Sequence, residues 1–144
     1  MLKIVRNNIM TNNEFTSNRL QNFNPLVLAF MGDAVYDVLA RQRLITDNAD
    51  LKISALNVLA INKVRASAQA KCYDYLQSKL TNLELQVMKR GRNAHNNHCP
   101  KNANPIEYHK ATGLEVLFGY LFFEQQYERL SLIFDEIYNF LEQN

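Results

Sequence analysis

Asp33 and Glu115 are acids set in strongly apolar, helix-like surroundings, each with glycine close by. In PLVLAFMGDAVYDVLARQRL the only charges between Pro25 and Ala40 are Asp33 and Asp37, and Asp33 directly follows Gly32. In ATGLEVLFGYLFF, Glu115 is the only charge, flanked by Gly113 and Gly119. A buried carboxylate without a partner costs several kcal/mol, so each acid must be paired, bound to a cation or open to a cleft. Gly32 in mid-helix costs roughly 1 kcal/mol relative to alanine, which implies that something approaches its backbone closely. If the two helices cross at their glycines, Asp33 and Glu115 converge and can hold a hard divalent cation through oxygen ligands. Such ions activate water and neutralise phosphate oxygens. The plainer alternative is an exposed Asp33, or an ion pair between it and Arg41 or Arg43.

The fourth glycine, Gly91, lies in the most basic segment, KRGRNAHNNHCPKN. Lys89, Arg90, Arg92 and Lys101 occur there without an acid, joined by His95 and His98. Cations beside amide-rich loops suit phosphate and sugar contacts, which position a nucleic acid without reading its sequence. A solvated basic loop is the competing reading. His95, His98, Cys99 and His109 are a further donor set, although that spacing fits no standard zinc finger. Four glycines in 144 residues is sparse; a chain of average composition carries about ten.

The elements that must position these residues are helical almost throughout. Asn24-Pro25 supplies an N-cap and first-turn pair opening a helix to about Leu44, and Thr46–Asp50 breaks it. A second helix is expected from about Leu51 to Ala70, a shorter one over Cys72–Lys79, and another over Asn82–Arg90, with Gly91 ending it and launching the basic loop. The composition of Arg92–Asn104 predicts a loop. Asn104-Pro105 repeats the opening signal, starting a helix to about Glu124, and an amphipathic helix over Tyr127–Leu141 closes the chain. No strand alternation occurs, so the fold class is all-α. Residues 1–22 read as a polar N-terminal arm and 23–144 as one domain.

Composition narrows the class further. With 47% hydrophobic residues the chain can bury a real core. The net charge of +2 conceals a lopsided distribution, because residues 124–144 hold five acids against Arg129 alone. Two cysteines, Cys72 and Cys99, form no disulfide framework and favour a reduced, cytoplasmic setting. No signal peptide or membrane span is expected.

Three ordered motifs, AFMGDAVYDVLAR, VMKRGRNA and PKNANPIEYHKATGLEVLFGYL, resemble mini-ribonuclease III, the short bacterial relative of ribonuclease III. The resemblance runs from about Phe23 to Leu130. It implies an all-helical ribonuclease III domain, a homodimer, and Mg²⁺-dependent cleavage of double-stranded RNA leaving 5′-phosphate and 3′-hydroxyl ends. The short branch lacks the separate double-stranded RNA-binding domain, and none is expected here. Its typical substrate is the 23S rRNA precursor, trimmed at both ends, and a ribosomal protein presenting that precursor is a further partner it admits. Asp33 matches the aspartate of the family's F-x-G-D-A signature, as catalytic residue and metal ligand, and Glu115 matches the distal-helix glutamate, the other ligand. Full-length relatives carry two more acids, at the positions of Ala29 and Thr112. Within this reading Lys89, Arg90, Arg92 and Lys101 grip the duplex phosphates, Asn93 and Asn102 reach 2′-hydroxyls, and the Gly32 and Ala34 surface helps form the two-fold interface. Asp37 has no metal role. The rival classes are a non-catalytic dimeric RNA-binding protein and a helical metal-binding protein unrelated to RNA.

Overall fold

A computed structural model describes Leu20 and residues 22–94 and 99–144. They form six helices: α1 (Pro25–Asp47), α2 (Ile53–Val64), α3 (Ala66–Leu76), α4 (Asn82–Arg92), α5 (Pro105–Phe123) and α6 (Tyr127–Gln143). No strand occurs among the described residues, as the helical periodicity requires.

The two Asn-Pro signals work as expected. Asn24 Oδ1 accepts from the Leu26 amide at 3.0 Å, and Asn104 Oδ1 from the Ile106 amide at 2.9 Å, each with proline in the first turn of the following helix. Thr81 and Glu84 close a reciprocal capping box at the start of α4. Glu84 is buried and also receives Arg129 Nε and Nη2 at 2.9 Å, which ties α4 to α6.

α5 is the central element. Between Ala111 and Phe122 every residue except Glu115 is buried, and α1, α3, α4 and α6 pack around it. Tyr36, Phe118 and Phe134 meet edge to face in the core, with the Tyr36 hydroxyl donating to the Lys63 carbonyl at 3.1 Å.

α1 overruns its expected end through Thr46 to Asp47 and α4 runs on to Arg92, and a larger difference lies between α2 and α3. The stretch predicted to run unbroken from Leu51 to Ala70 breaks at Arg65 (φ −63°, ψ 151°), and Ala66 through Cys72 to Leu76 is a single helix. α2 buries Ala60 and Lys63, and α3 turns Ala68, Gln69, Cys72, Tyr73 and Leu76 inward. One straight helix cannot serve both sets of neighbours. The Gln69 side-chain amide donates to the Val64 carbonyl at 3.1 Å, satisfying a group the break sets free.

Gly91 also differs from expectation. It lies within α4 and has no positive φ, so it does not terminate that helix. Its role is close packing against α5.

Candidate active site

The four glycines form two helix crossings on α5. At the first, a methyl group on Gly32 would sit 1.7 Å from the Glu115 carbonyl oxygen, and one on Gly119 would sit 2.0 Å from the Leu28 carbonyl oxygen. At the second, a methyl on Gly91 would meet Val116 Cβ at 2.7 Å, and one on Gly113 would meet the Met88 carbonyl oxygen at 2.7 Å. Backbone therefore touches backbone at the first crossing, and only glycine permits that approach. Asp33 follows Gly32 directly, so this contact sets its carboxylate beside Glu115.

Asp33 is exposed and Glu115 half-buried. Burial, and then the neighbouring Asp33 charge, push the Glu115 carboxyl up to about 8. Of the two plainer alternatives for Asp33, exposure holds and the ion pair with Arg41 or Arg43 does not occur. Arg41 Nε pairs with Asp37 at 2.8 Å, and Arg43 is taken by Asp47 and Asp135. Among the described residues neither Asp33 nor Glu115 has a cationic partner. Asp37 is held in a surface pair with Arg41, apart from this site's chemistry.

Two carboxyl groups at the edge of a low-dielectric crossing, with oxygen donors and no base, fit a hard divalent cation. Its charge would offset both the burial and the Asp33 repulsion that raise Glu115. The donor set stops at two carboxylates. Ala29 and Thr112 are buried, and the Thr112 hydroxyl donates to the Tyr108 carbonyl at 3.0 Å. Among the described residues no three His, Cys, Asp or Glu side chains gather as a metal cluster. His95 and His98 lie outside the described residues. Cys99 is half-buried with its thiol 3.8 Å from the Pro100 carbonyl oxygen, and His109 is on α5 in edge contact with Tyr108.

The basic residues sit at the end of α4 and before α5. Lys89 is exposed. Arg90 Nη2 donates to the Phe23 carbonyl at 2.8 Å. The Arg92 guanidinium lies 5.8 Å from the centre of the buried Tyr73 ring, and its Nε donates to Asn93 Oδ1 at 3.2 Å. Lys101 and Asn102 are exposed in the turn preceding α5.

The surface expected around Gly32 and Ala34 divides, since Ala34 is exposed and Gly32 is not. Gly32 is buried against α5 and cannot contribute to an interface with a second copy. On the outer face of α1 lies Phe30, 84% exposed, with Val27, Ala34 and Val38 exposed beside it. Their spacing of three, four and four residues was a legible stripe, but in an apolar helix it looks like core.

The family model described as ribonuclease III domain matches residues 26–126. A mini-ribonuclease 3 of Clostridium tetani is 40% identical over 131 residues, covering 91% of this chain and 87% of that relative. A mini-ribonuclease 3 of Symbiobacterium thermophilum is 41% identical over 118 residues, covering 82% and 90%. A crystal structure of a Fusobacterium nucleatum protein superposes with a TM-score of 0.73 at 25% identity, covering 82% of this chain and 93% of that one.

Proposed function

The chain belongs to the ribonuclease III family as an endoribonuclease of the mini-ribonuclease III type, and on that premise we propose that it is a homodimeric, Mg²⁺-dependent nuclease that trims both ends of the double-stranded 23S rRNA precursor. The observation that carries this reading is the glycine-closed crossing of α1 and α5. It leaves Asp33 and Glu115 within reach of each other's charge and without a base. No helix among the described residues is long and apolar enough to cross a membrane.

Asp33 and Glu115 hold the cation in this reading. When bound, Mg²⁺ lowers the pKa of a coordinated water and neutralises phosphate charge. Glu115, raised to about 8, carries a proton at neutral pH in the free site and gives it up when the cation arrives. The exposed Asp33 carboxylate is the group open to substrate, while the half-buried Glu115 is fixed by α5. Lys89, Arg90, Arg92 and Lys101 supply positive charge toward the duplex backbone, and Asn93 and Asn102 supply amides suited to 2′-hydroxyls. Residues 23–144 act as one catalytic domain.

The test is the Asp33→Asn variant on a duplex RNA containing both ends of the precursor, with and without Mg²⁺. Cleavage should fall at least 10³-fold, roughly the loss expected on removing a group that acts directly in the chemical step. The fold and the RNA affinity should persist. Cleavage equal to that of the wild type would refute the site. RNA binding with no cleavage in the unsubstituted chain would favour a non-catalytic RNA-binding protein instead.

A further inference from the structure

α2 carries aliphatic side chains outward as well as inward. Ala60 and Lys63 are buried, while Ile53, Val58 and Ile61 are each more than half exposed. Ser54, Val58, Ile61 and the C-cap Arg65 are spaced by four, three and four residues, so they form one line along the outer face, with Asn57 and Asn62 exposed beside it. Lys52 stands before the first turn. The Lys52 and Arg65 side chains are exposed and have no acid partner among the described residues. Their separation in the chain corresponds to about 20 Å along the helix axis. α2 contains no acid, and of the two acids just before it Asp47 is held by Arg43, leaving Asp50 near its start.

An apolar line between two cations is a poor match for the surfaces this chain itself offers. Two copies paired antiparallel through α2 would set Lys52 of one near Arg65 of the other, and like charges oppose that contact. Residues 1–19 carry Lys3, Arg6 and Arg19 against Glu14, the wrong sign to cover it. On α6 the acids Asp135, Glu136 and Glu142 are already engaged by Arg43, Lys79 and Lys63. A duplex backbone presents phosphate at every step, whereas Val58 and Ile61 occupy the middle of this face and Lys63 is turned away onto Glu142.

We propose that the outer face of α2 docks an amphipathic helix of another protein, apolar along one ridge and acidic at both ends. The ridge packs on Val58 and Ile61, and the two acidic ends pair with Lys52 and Arg65. None of these residues belongs to the Asp33–Glu115 site or to the basic end of α4, so the inference stands apart from the nuclease reading.

The probe is a labelled helical peptide of about 18 residues, long enough to span both cations, with leucines three and four apart and glutamates at both ends. Its anisotropy with the full chain is compared with that of the same peptide carrying lysines in place of the glutamates. The acidic peptide should bind, more weakly as salt rises, and the lysine peptide at least about tenfold less tightly. Val58→Glu and Ile61→Glu should each weaken the acidic peptide at least about tenfold while melting temperature and duplex RNA cleavage stay unchanged. Lys52→Glu combined with Arg65→Glu should invert the preference, so that the lysine peptide binds instead. Absent binding of the acidic peptide, equal binding of the two peptides, or a preference that survives the charge reversal overturns the proposal. It also falls if Val58→Glu dissociates an oligomer by light scattering or weakens duplex RNA binding, because the face then serves a second copy or the RNA. Each of these outcomes leaves the Asp33→Asn test of the nuclease untouched.

Discussion

Glu115 carries the most informative charge in the molecule because its two perturbing causes are separable. Burial is the larger, and the Asp33 charge adds to it, together raising the carboxyl from 4.5 to about 8. Between those values the folded chain holds a proton that the unfolded chain has released. Without metal, stability must therefore fall as pH rises through that window. The effect is on the order of a few kcal/mol at most, since Glu115 is only half-buried. Metal-free thermal unfolding should show the melting temperature dropping from pH 5 to pH 8, and Glu115→Gln should flatten that dependence. Mg²⁺ added at pH 7.5 should raise the melting temperature of the wild type but not of Asp33→Asn. It should also release close to one proton, read from the dependence of calorimetric heat on buffer. A flat profile, or equal Mg²⁺ stabilisation of Asp33→Asn, would mean that the two carboxylates do not share a cation. Asp33 itself was legible in the sequence as an acid directly after a mid-helix glycine in an apolar run, although it is exposed and pays no desolvation. That Arg41 and Arg43 are engaged elsewhere was not, since ion-pair choice among exposed side chains is settled by rotamers and by α6 supplying Asp135.

At the scale of the helices, the sequence announced starts better than stops. Both Asn-Pro caps act locally and were readable, as was the amphipathic α6. The break at Arg65 was not readable, because the Ala-rich run on either side favours helix, and only the need to pack α2 on α1 and α3 on α5 bends it. The glycines showed that close approach occurs but not which partners meet. Gly91 looked like a helix terminator because it stands beside an amide-rich loop; its contact with Val116 is tertiary. These contacts rank the consequences of adding a methyl. Alanine gains about 1 kcal/mol of helix propensity at an interior position. At Gly32 and Gly119 the methyl meets carbonyl oxygens at 1.7 and 2.0 Å, and neither backbone can yield without the helices separating. Gly32→Ala and Gly119→Ala should therefore lose about 2–4 kcal/mol in urea denaturation. Gly113→Ala meets the Met88 carbonyl oxygen at 2.7 Å and should lose less. Gly32→Ala should in addition lose cleavage under conditions where it stays folded, because it moves Asp33 away from Glu115. Gly32→Ala with wild-type stability would show that the α1–α5 crossing is looser than these distances imply.

For the whole molecule, charge and apolar surface are unevenly distributed. The acids of α6 and its neighbours neutralise much of the base elsewhere: Lys63 pairs with Glu142, Arg43 with Asp135, Lys79 with Glu136 and Lys110 with Asp74. Lys89, Arg92 and Lys101 have no acid partner among the described residues and lie around the end of α4 and the turn before α5, while Lys52, Arg65 and Lys71 are likewise without one on α2, α3 and the segments that precede them. Exposed apolar side chains occur on α2 (Ile53, Val58, Ile61) and on α1, where Val27 is 51%, Phe30 84% and Val38 42% exposed along one stripe that Asp33 and Asp37 border. A patch of this kind on a single helix is self-complementary about a two-fold axis. Pairing two copies through it would bring two Asp33–Glu115 sites to the rims of one interface, one for each strand of a duplex. Phe30 contributes little to the core of its own chain, so Phe30→Glu should leave helix content and melting temperature nearly unchanged. It should convert a dimer to a monomer by light scattering at micromolar concentration and lose cleavage of both strands together. Mixed dimers of wild-type and Asp33→Asn chains should nick a single strand, because each protomer then serves one strand only. A wild type that is monomeric while cutting both strands, or a Phe30→Glu chain that remains dimeric, would move the interface away from this stripe.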